Sequence, residues 1–256
     1  MYRHHKKLAQ FSFALLLIAK IATTHAGIVL EIMVEDEAAP WSQADGSGAA
    51  NDIVKAAFAA AGVDVALHVV TYARCKHMVA SGQIAACFSM SSDPSIANSV
   101  IFSNEPLYRN YAQYFDNSNH PLKATNESEV TPGTVIGIVT GYEYPDSVDM
   151  LKKRGAIFEA ATSERANLKK LARGRIDAAV ANLNEFKSVE FLTTRAGVKG
   201  AVTPRFRSNY FGSYIGFSVQ HPKGLWARDK FNEGYAKISS DGTLQQIMHK
   251  WRTQSL

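Results

Sequence analysis

The side chains best placed to do chemistry are few, and their types suit holding a solute better than breaking a bond. Ser91 and Ser92 end the run IAACFSMSS, where hydroxyls both donate and accept hydrogen bonds. Arg74 follows Tyr72 in TYARC, and Glu143 follows Gly141 and Tyr142 in TGYEYPD. These supply one cation, one carboxylate and a turn whose backbone N–H groups suit an anion. Trp41, Tyr72 and Tyr142 add aromatic faces, which give apolar area and attract cations. Ser163 and Asn182 complete the set. Glu143 is the one acid among them, and a lone acid is thin support for general acid–base catalysis. We therefore expect no catalytic residue and no enzyme activity. His68, His77, His120, His221 and His249 show no metal-ligand spacing. No metal or cofactor is expected.

Short apolar strands alternating with amphipathic helices must position these groups. IVLEIMV (28–34) reads as a strand, and Ile53, Val54, Ala57, Phe58 and Ala61 recur at helical spacing up to Gly62. VALHVV is a strand, Arg74 to Ser81 a helix ended by Gly82, and IAACFSM the next strand. This order predicts parallel strands with helices on both faces. The plan then repeats through TVIGIV, PDSVDMLKK, AIFEAA, ERANLKKLAR and IDAAVAN. MVASGQIAACFSM lies over KLARGRIDAAVAN with both Gly and both Ile aligned, which predicts matching strand ends at Met90 and Asn182. SYIGFSV, LWARDKFNEGYAKI and TLQQIMHKW follow and are expected to return to the first unit. Two strands would then cross between lobes, near 111–115 and near 208–213, and form a hinge. We assign 27–112 plus 212–256 to lobe one and 113–211 to lobe two. In open α/β sheets ligands sit beyond the carboxyl ends of strands. That rule selects Trp41, Tyr72, Arg74, Ser91 and Ser92 from lobe one, and Gly141, Tyr142, Glu143, Ser163 and Asn182 from lobe two.

The first 26 residues read as a cleaved secretory signal peptide. Arg3, Lys6 and Lys7 precede the apolar run LAQFSFALLLIA, and THA ends the segment. Cleavage after Ala26 would leave a chain in the periplasm with 24 basic against 23 acidic residues. That balance argues against a nucleic-acid partner. Export makes a disulfide between Cys75 and Cys87 available, the other reading being two buried thiols. We expect the bridge, because the strand carrying Cys87 runs directly back along the helix carrying Cys75.

GAANDIVKAAFAAAG, the run from Tyr72 through Gly82 to FSNEPLY, GRIDAAVAN, and HPKGLWARDKFNEGYAKISSDGTLQQIMHKW together resemble the bacterial extracellular solute-binding proteins of family 3. The resemblance implies a type II periplasmic-binding-protein-like α/β fold with two Rossmann-like lobes joined by two hinge crossings. It also implies a small-molecule ligand in the cleft, a membrane ABC permease as partner and a monomer. Relatives include a cyclohexadienyl-dehydratase-like enzyme, and a sensing input to a membrane receptor is a further alternative. The family's carboxylate-binding Arg falls at Ile96 here, and the Asp that accepts from a ligand ammonium falls at Asn182. Both signature charges are missing. The expectation is a small polar metabolite held by stacking and by Arg74, with Glu143 either pairing with a ligand amine or favouring a helix dipole.

Overall fold

Residues 29–254 are described in the computed structural model, and the signal peptide read from the sequence lies outside them. The first apolar run forms β1 (Leu30–Glu35), with Leu30, Ile32 and Val34 buried on alternate positions. A small hairpin follows, β2 (Glu37–Ala38) and β3 (Ser42–Gln43). Helix α1 (Ala49–Ala60) buries Ile53, Val54, Ala57 and Phe58 and ends before Gly62, whose φ is +73°. Next come β4 (Val65–Val70), α2 (Tyr72–Ala80), β5 (Ala86–Met90) and β6 (Val100–Phe102). The long strand β7 (Tyr108–Asn117) leads into β8 (Val135–Val139), α3 (Asp146–Lys153), β9 (Ile157–Ala161), α4 (Glu164–Ala172) and β10 (Ala178–Leu183). After α5 (Val189–Ala196), the strand β11 (Val202–Ser218) runs back to α6 (Gly224–Ser240) and α7 (Thr243–Gln254).

The strand order is β4-β1-β5-β11-β7-β10-β8-β9, with β6 also on β11. Within each lobe the strands separated by helices pair parallel: β4 and β5 on β1, and β9 and β10 on β8. The sequence pattern predicts this. It does not predict the antiparallel centre, where β7 and β11 pair with each other from Tyr108↔Ser213 to Asn117↔Val202. Both strands serve both lobes: β11 also pairs with β5 through Ile215↔Phe88, and β7 with β10 through Leu183↔Tyr111. The two crossings expected near 111–115 and 208–213 are thus the middles of two long, mutually bonded strands. SYIGFSV is the end of one of them rather than a strand of its own.

Helices cover both faces of each lobe. One core joins α1, α6 and α7 to the lobe-one sheet through Phe58, Phe217 and Phe231. At Gly234 a Cβ would lie 1.7 Å from the Ala57 carbonyl oxygen, so only glycine lets α6 approach α1 this closely. The opposite face holds α2, where Tyr72, Cys75 and Val79 pack with Cys87, Met90 and Ile96. Ile96, at the position of the missing arginine, is buried in this cluster. Lobe two has cores of its own around Tyr114 and Val180, and around Leu168 and Leu192. The aligned repeat is visible in the backbone. Gly82 and Gly174 both take positive φ after α2 and α4, and Met90 and Asn182 both stand at the carboxyl ends of their strands.

The bridge expected from the sequence is present: Cys75 and Cys87 are joined, with Cα atoms 5.8 Å apart. A link across 12 positions removes about 3 kcal/mol of chain entropy from the unfolded state. Reduction should therefore lower the Tm by roughly 6–12 °C for a chain of this size. Alkylation after unfolding without reductant should label neither cysteine, and two labelled thiols would contradict the bridge.

Candidate functional site

Strand ends from both lobes meet at a small cavity of about 20 Å³, the room of a single water. From lobe one come Glu35 at the end of β1, Trp41 between β2 and β3, and Tyr72 at the start of α2. Ser89 and Ser91 at the end of β5, Tyr108 and Asn110 in β7, and Ser213 in β11 complete that side. Lobe two contributes Tyr142 and Glu143 from the turn after β8, Asn182 and Asn184 from the end of β10, and Lys187 before α5. Ser89 adopts φ +68°. A left-handed serine is strained by the order of 1–3 kcal/mol, and such residues concentrate at functional sites.

Glu143 is bonded on both carboxylate oxygens. It reaches across from lobe two, and its carboxylate accepts from the Tyr72 hydroxyl at 2.6 Å and from the Ser91 N–H at 3.3 Å. Lys76 Nζ lies 2.7 Å from its other oxygen. This is a donor set that suits an ionised carboxylate. Lys76 also pairs with Asp93 and donates to the Gly141 carbonyl at 3.3 Å. Burial works against its ammonium, but Glu143 and Asp93 outweigh burial and hold its pKa above the ordinary lysine value. Gly141 has φ +85°, and a Cβ there would sit 3.1 Å from Ala73 Cα, so glycine lets the lobe-two turn close onto α2.

Glu35 is buried differently. Its carboxyl accepts from the Tyr142 hydroxyl at 2.8 Å, and among the described residues it forms no ion pair. Burial pushes its pKa from 4.5 to about 8, and the Tyr142 bond and the Lys187 charge offset this only in part. Lys187 instead pairs with Glu164 at 2.8 Å, both side chains being buried. Glu164 also accepts from the Asn182 N–H at 2.7 Å. Asn182 Nδ2 donates to the Glu143 carbonyl at 3.3 Å, while Asn182 Oδ1 is buried without a hydrogen-bond partner.

Asn184 fastens the two lobes. Its Oδ1 accepts from Trp41 Nε1 at 2.8 Å and from the Phe186 and Lys187 N–H groups, while its Nδ2 donates to Asn110. Trp41 stacks on Tyr108 of lobe one, centroids 3.9 Å apart, and on Phe186 of lobe two, 4.8 Å apart. Beyond Lys187 a second cavity of about 290 Å³ lies between Asp36, Glu37 and Asp45 on one side and Arg165 and Arg195 on the other. Arg165 and Glu37 close it with a two-point ion pair, at 2.7 and 3.2 Å.

Of the residues selected from the sequence, the structure brings Trp41, Tyr72, Ser91, Tyr142, Glu143 and Asn182 together around the first cavity, with Gly141 at its edge. Arg74 is corrected: it is exposed and does not line the cavity. Helix α2 starts at Tyr72, two residues earlier than its pattern predicts, and turns Tyr72, Cys75 and Val79 inward. Two residues on from Tyr72 is about 200° around the helix. Lys76, four residues on, shares the Tyr72 face, and it is the cation that enters the cleft. Ser92 is exposed just past the strand end. Ser163 caps α4, its hydroxyl accepting from the Ala166 N–H at 3.2 Å, and does not line the cavity.

Two α/β lobes, a bonded pair of crossing strands and a polar, aromatic cleft at the strand ends define the type II periplasmic-binding-protein class. The chain belongs to the bacterial extracellular solute-binding proteins, family 3, whose model matches residues 30–254. Members of that family bind small ligands and work with ABC transporters. Among solved structures, a histidine kinase sensor domain with similarity to periplasmic binding proteins superposes with a TM-score of 0.74 at 15% identity. It covers 88% of this chain and 96% of its own. An ancestral arginine-binding protein bound to arginine gives 0.69 at 19% identity, covering 86% and 97%. An ancestral amino acid-binding protein, a precursor of cyclohexadienyl dehydratase, gives 0.68 at 16%, covering 87% and 95%. No curated protein matches the sequence. Among the described residues no helix is long and apolar enough to cross a membrane, and no group of His, Cys, Asp and Glu could hold a metal ion.

Proposed function

We propose that the protein is a monomeric periplasmic receptor that captures a small polar solute between its lobes and presents it to an ABC-type permease. Lobe one comprises 27–112 and 212–256, and lobe two 113–211. The observation that carries this reading is the set of strand-end groups from both lobes that converge on one buried cavity. Glu35, Tyr72, Ser91, Tyr142, Glu143 and Asn182 are its ligand-facing residues. A cavity of about 20 Å³ admits a solute only when the lobes part, so capture is coupled to opening and closing about β7 and β11.

Trp41 reports that motion, because its ring and Nε1 contact both lobes. Trp226 and Trp251 sit in α6 and α7 and do not line the cavity. Addition of a bound solute should change the tryptophan fluorescence, and Trp41→Phe should remove most of that change. An undiminished change in the variant would place the motion elsewhere. One observation favours an enzyme instead: Glu35 holds a proton at neutral pH inside the cleft, as a general acid would. Incubation with arogenate or prephenate separates the readings. We expect no new ultraviolet band, and its appearance would establish catalysis.

A further inference from the structure

At the cleft, Glu35, Glu143 and Glu164 stand near the ammonium groups of Lys76, which Asp93 also shares, and Lys187, and the pairing between them is uneven. Glu143 has Lys76 at 2.7 Å and Glu164 has Lys187 at 2.8 Å. Among the described residues, the Glu35 carboxyl has the Tyr142 hydroxyl and no paired cation. Apart from the Ser89 hydroxyl, the Tyr72 and Ser91 donors at the lobe-one strand ends are already occupied. The Tyr72 hydroxyl and the Ser91 N–H both point to Glu143, and the Ser91 hydroxyl donates to the Gly212 carbonyl at 2.7 Å. A solute carboxylate would therefore meet donors that the protein's own carboxylate holds. Among the described residues of the cavity wall, the groups still wanting a partner are the Ser89 hydroxyl, which can donate or accept, and two acceptors. Among the described residues, Asn182 Oδ1 is unpartnered with the residue 8% exposed, and Glu35 is without a counterion with the residue 3% exposed. Trp41, Tyr72, Tyr108 and Tyr142 surround the same space. Aromatic faces beside an unpaired carboxyl are the usual surroundings of an organic cation.

We infer that the cleft takes a small organic ammonium ion without a free carboxylate, with Glu35 releasing its proton to solvent as the cation binds and so becoming its counterion, Asn182 Oδ1 as acceptor and the aromatic rings around it. Glu143 acts as a built-in carboxylate, filling the donor set that an α-amino acid would otherwise need. The inference rests on the solute-capture reading and narrows it to one class. It also replaces Arg74 as the ligand anchor.

Calorimetry on refolded protein with matched pairs tests it: agmatine against arginine, histamine against histidine, putrescine against ornithine. In at least one pair the amine should bind tenfold or more tighter than its amino acid. Glu35→Gln should weaken that amine tenfold or more without lowering the Tm. Glu143→Ala, which frees the Tyr72 hydroxyl and the Ser91 N–H, should narrow the gap between the two members tenfold. Tighter binding of the amino acid in every pair that binds would overturn the inference, as would amine binding indifferent to Glu35→Gln or a gap untouched by Glu143→Ala. A thermal-shift panel of sugars, ureas and carboxylic acids distinguishes the two levels. A response only to those solutes overturns the ammonium reading and leaves solute capture standing. Silence of every compound overturns both.

Discussion

Glu35→Gln should stabilise the ligand-free protein at pH 8 by on the order of 4 kcal/mol and flatten its stability between pH 5 and pH 8. In the unfolded chain this carboxyl ionises near 4.5, whereas in the folded protein it keeps its proton until about pH 8. Across that window the folded state binds more protons than the unfolded state. The contribution of Glu35 is therefore fully present below pH 4.5 and is lost as pH rises to about 8. At roughly 1.4 kcal/mol per pH unit the loss reaches the stated size. Glutamine keeps the shape and still accepts from the Tyr142 hydroxyl, so the variant loses the titration and little else. Thermal unfolding at pH 5, 6, 7 and 8 should show the wild-type Tm falling by roughly 10 °C more than that of the variant. Parallel profiles would show that Glu35 is not held neutral. Burial also raises the pKa of Glu143, and any slope remaining in the variant has the same sign.

Lys187→Met should destabilise the protein by about 3–5 kcal/mol, because it leaves Glu164 buried without its cation. Lys187 and Glu164 are each 5% exposed and 2.8 Å apart. The carboxylate retains the Asn182 N–H at 2.7 Å, which one hydrogen bond cannot turn into charge compensation. Combining Lys187→Met with Glu164→Gln removes both charges and keeps an acceptor for Asn182, so the double variant should recover at least half of the loss. Urea unfolding of the wild type, both single variants and the double variant measures this coupling. A single-variant cost under about 1 kcal/mol would mean that water reaches Glu164.

The pattern of each lobe was legible because its elements are local. Strand and helix periods, the glycines that stop α1, α2 and α4, and the Cys75–Cys87 pairing all follow from residues close in the chain. The pairing of β7 with β11 was not legible, because register between strands so far apart in sequence is set by tertiary contact. In the site, aromatic residues and the Glu143 turn were found by the strand-end rule. Glu35 satisfies the same rule but stands in VEDEAAP, where acids read as solvent-facing. A period of two would have found more: Ser89 with Ser91, Tyr108 with Asn110 and Asn182 with Asn184 are each two apart and all line the cavity. Arg74 misled because a two-residue shift in the start of a short helix is about half a turn and exchanges its faces, and α2 starts at Tyr72 rather than at Arg74.

The threading of the chain has a consequence for the order in which the molecule is built. Lobe two is one continuous segment between the crossings, with β8, α3, β9, α4, β10 and α5 in sequence. Lobe one is interrupted: β5 pairs with the end of β11, and α1 packs on α6 through Gly234 and Ala57. A chain delivered from its N-terminus can therefore finish lobe two while β5 still has an unpaired edge and α1 an uncovered face. Closing lobe one waits for residues 213–254 and for contacts of very long sequence separation, which form slowly. Half of the molecule thus stays open until nearly all of the chain is available to it.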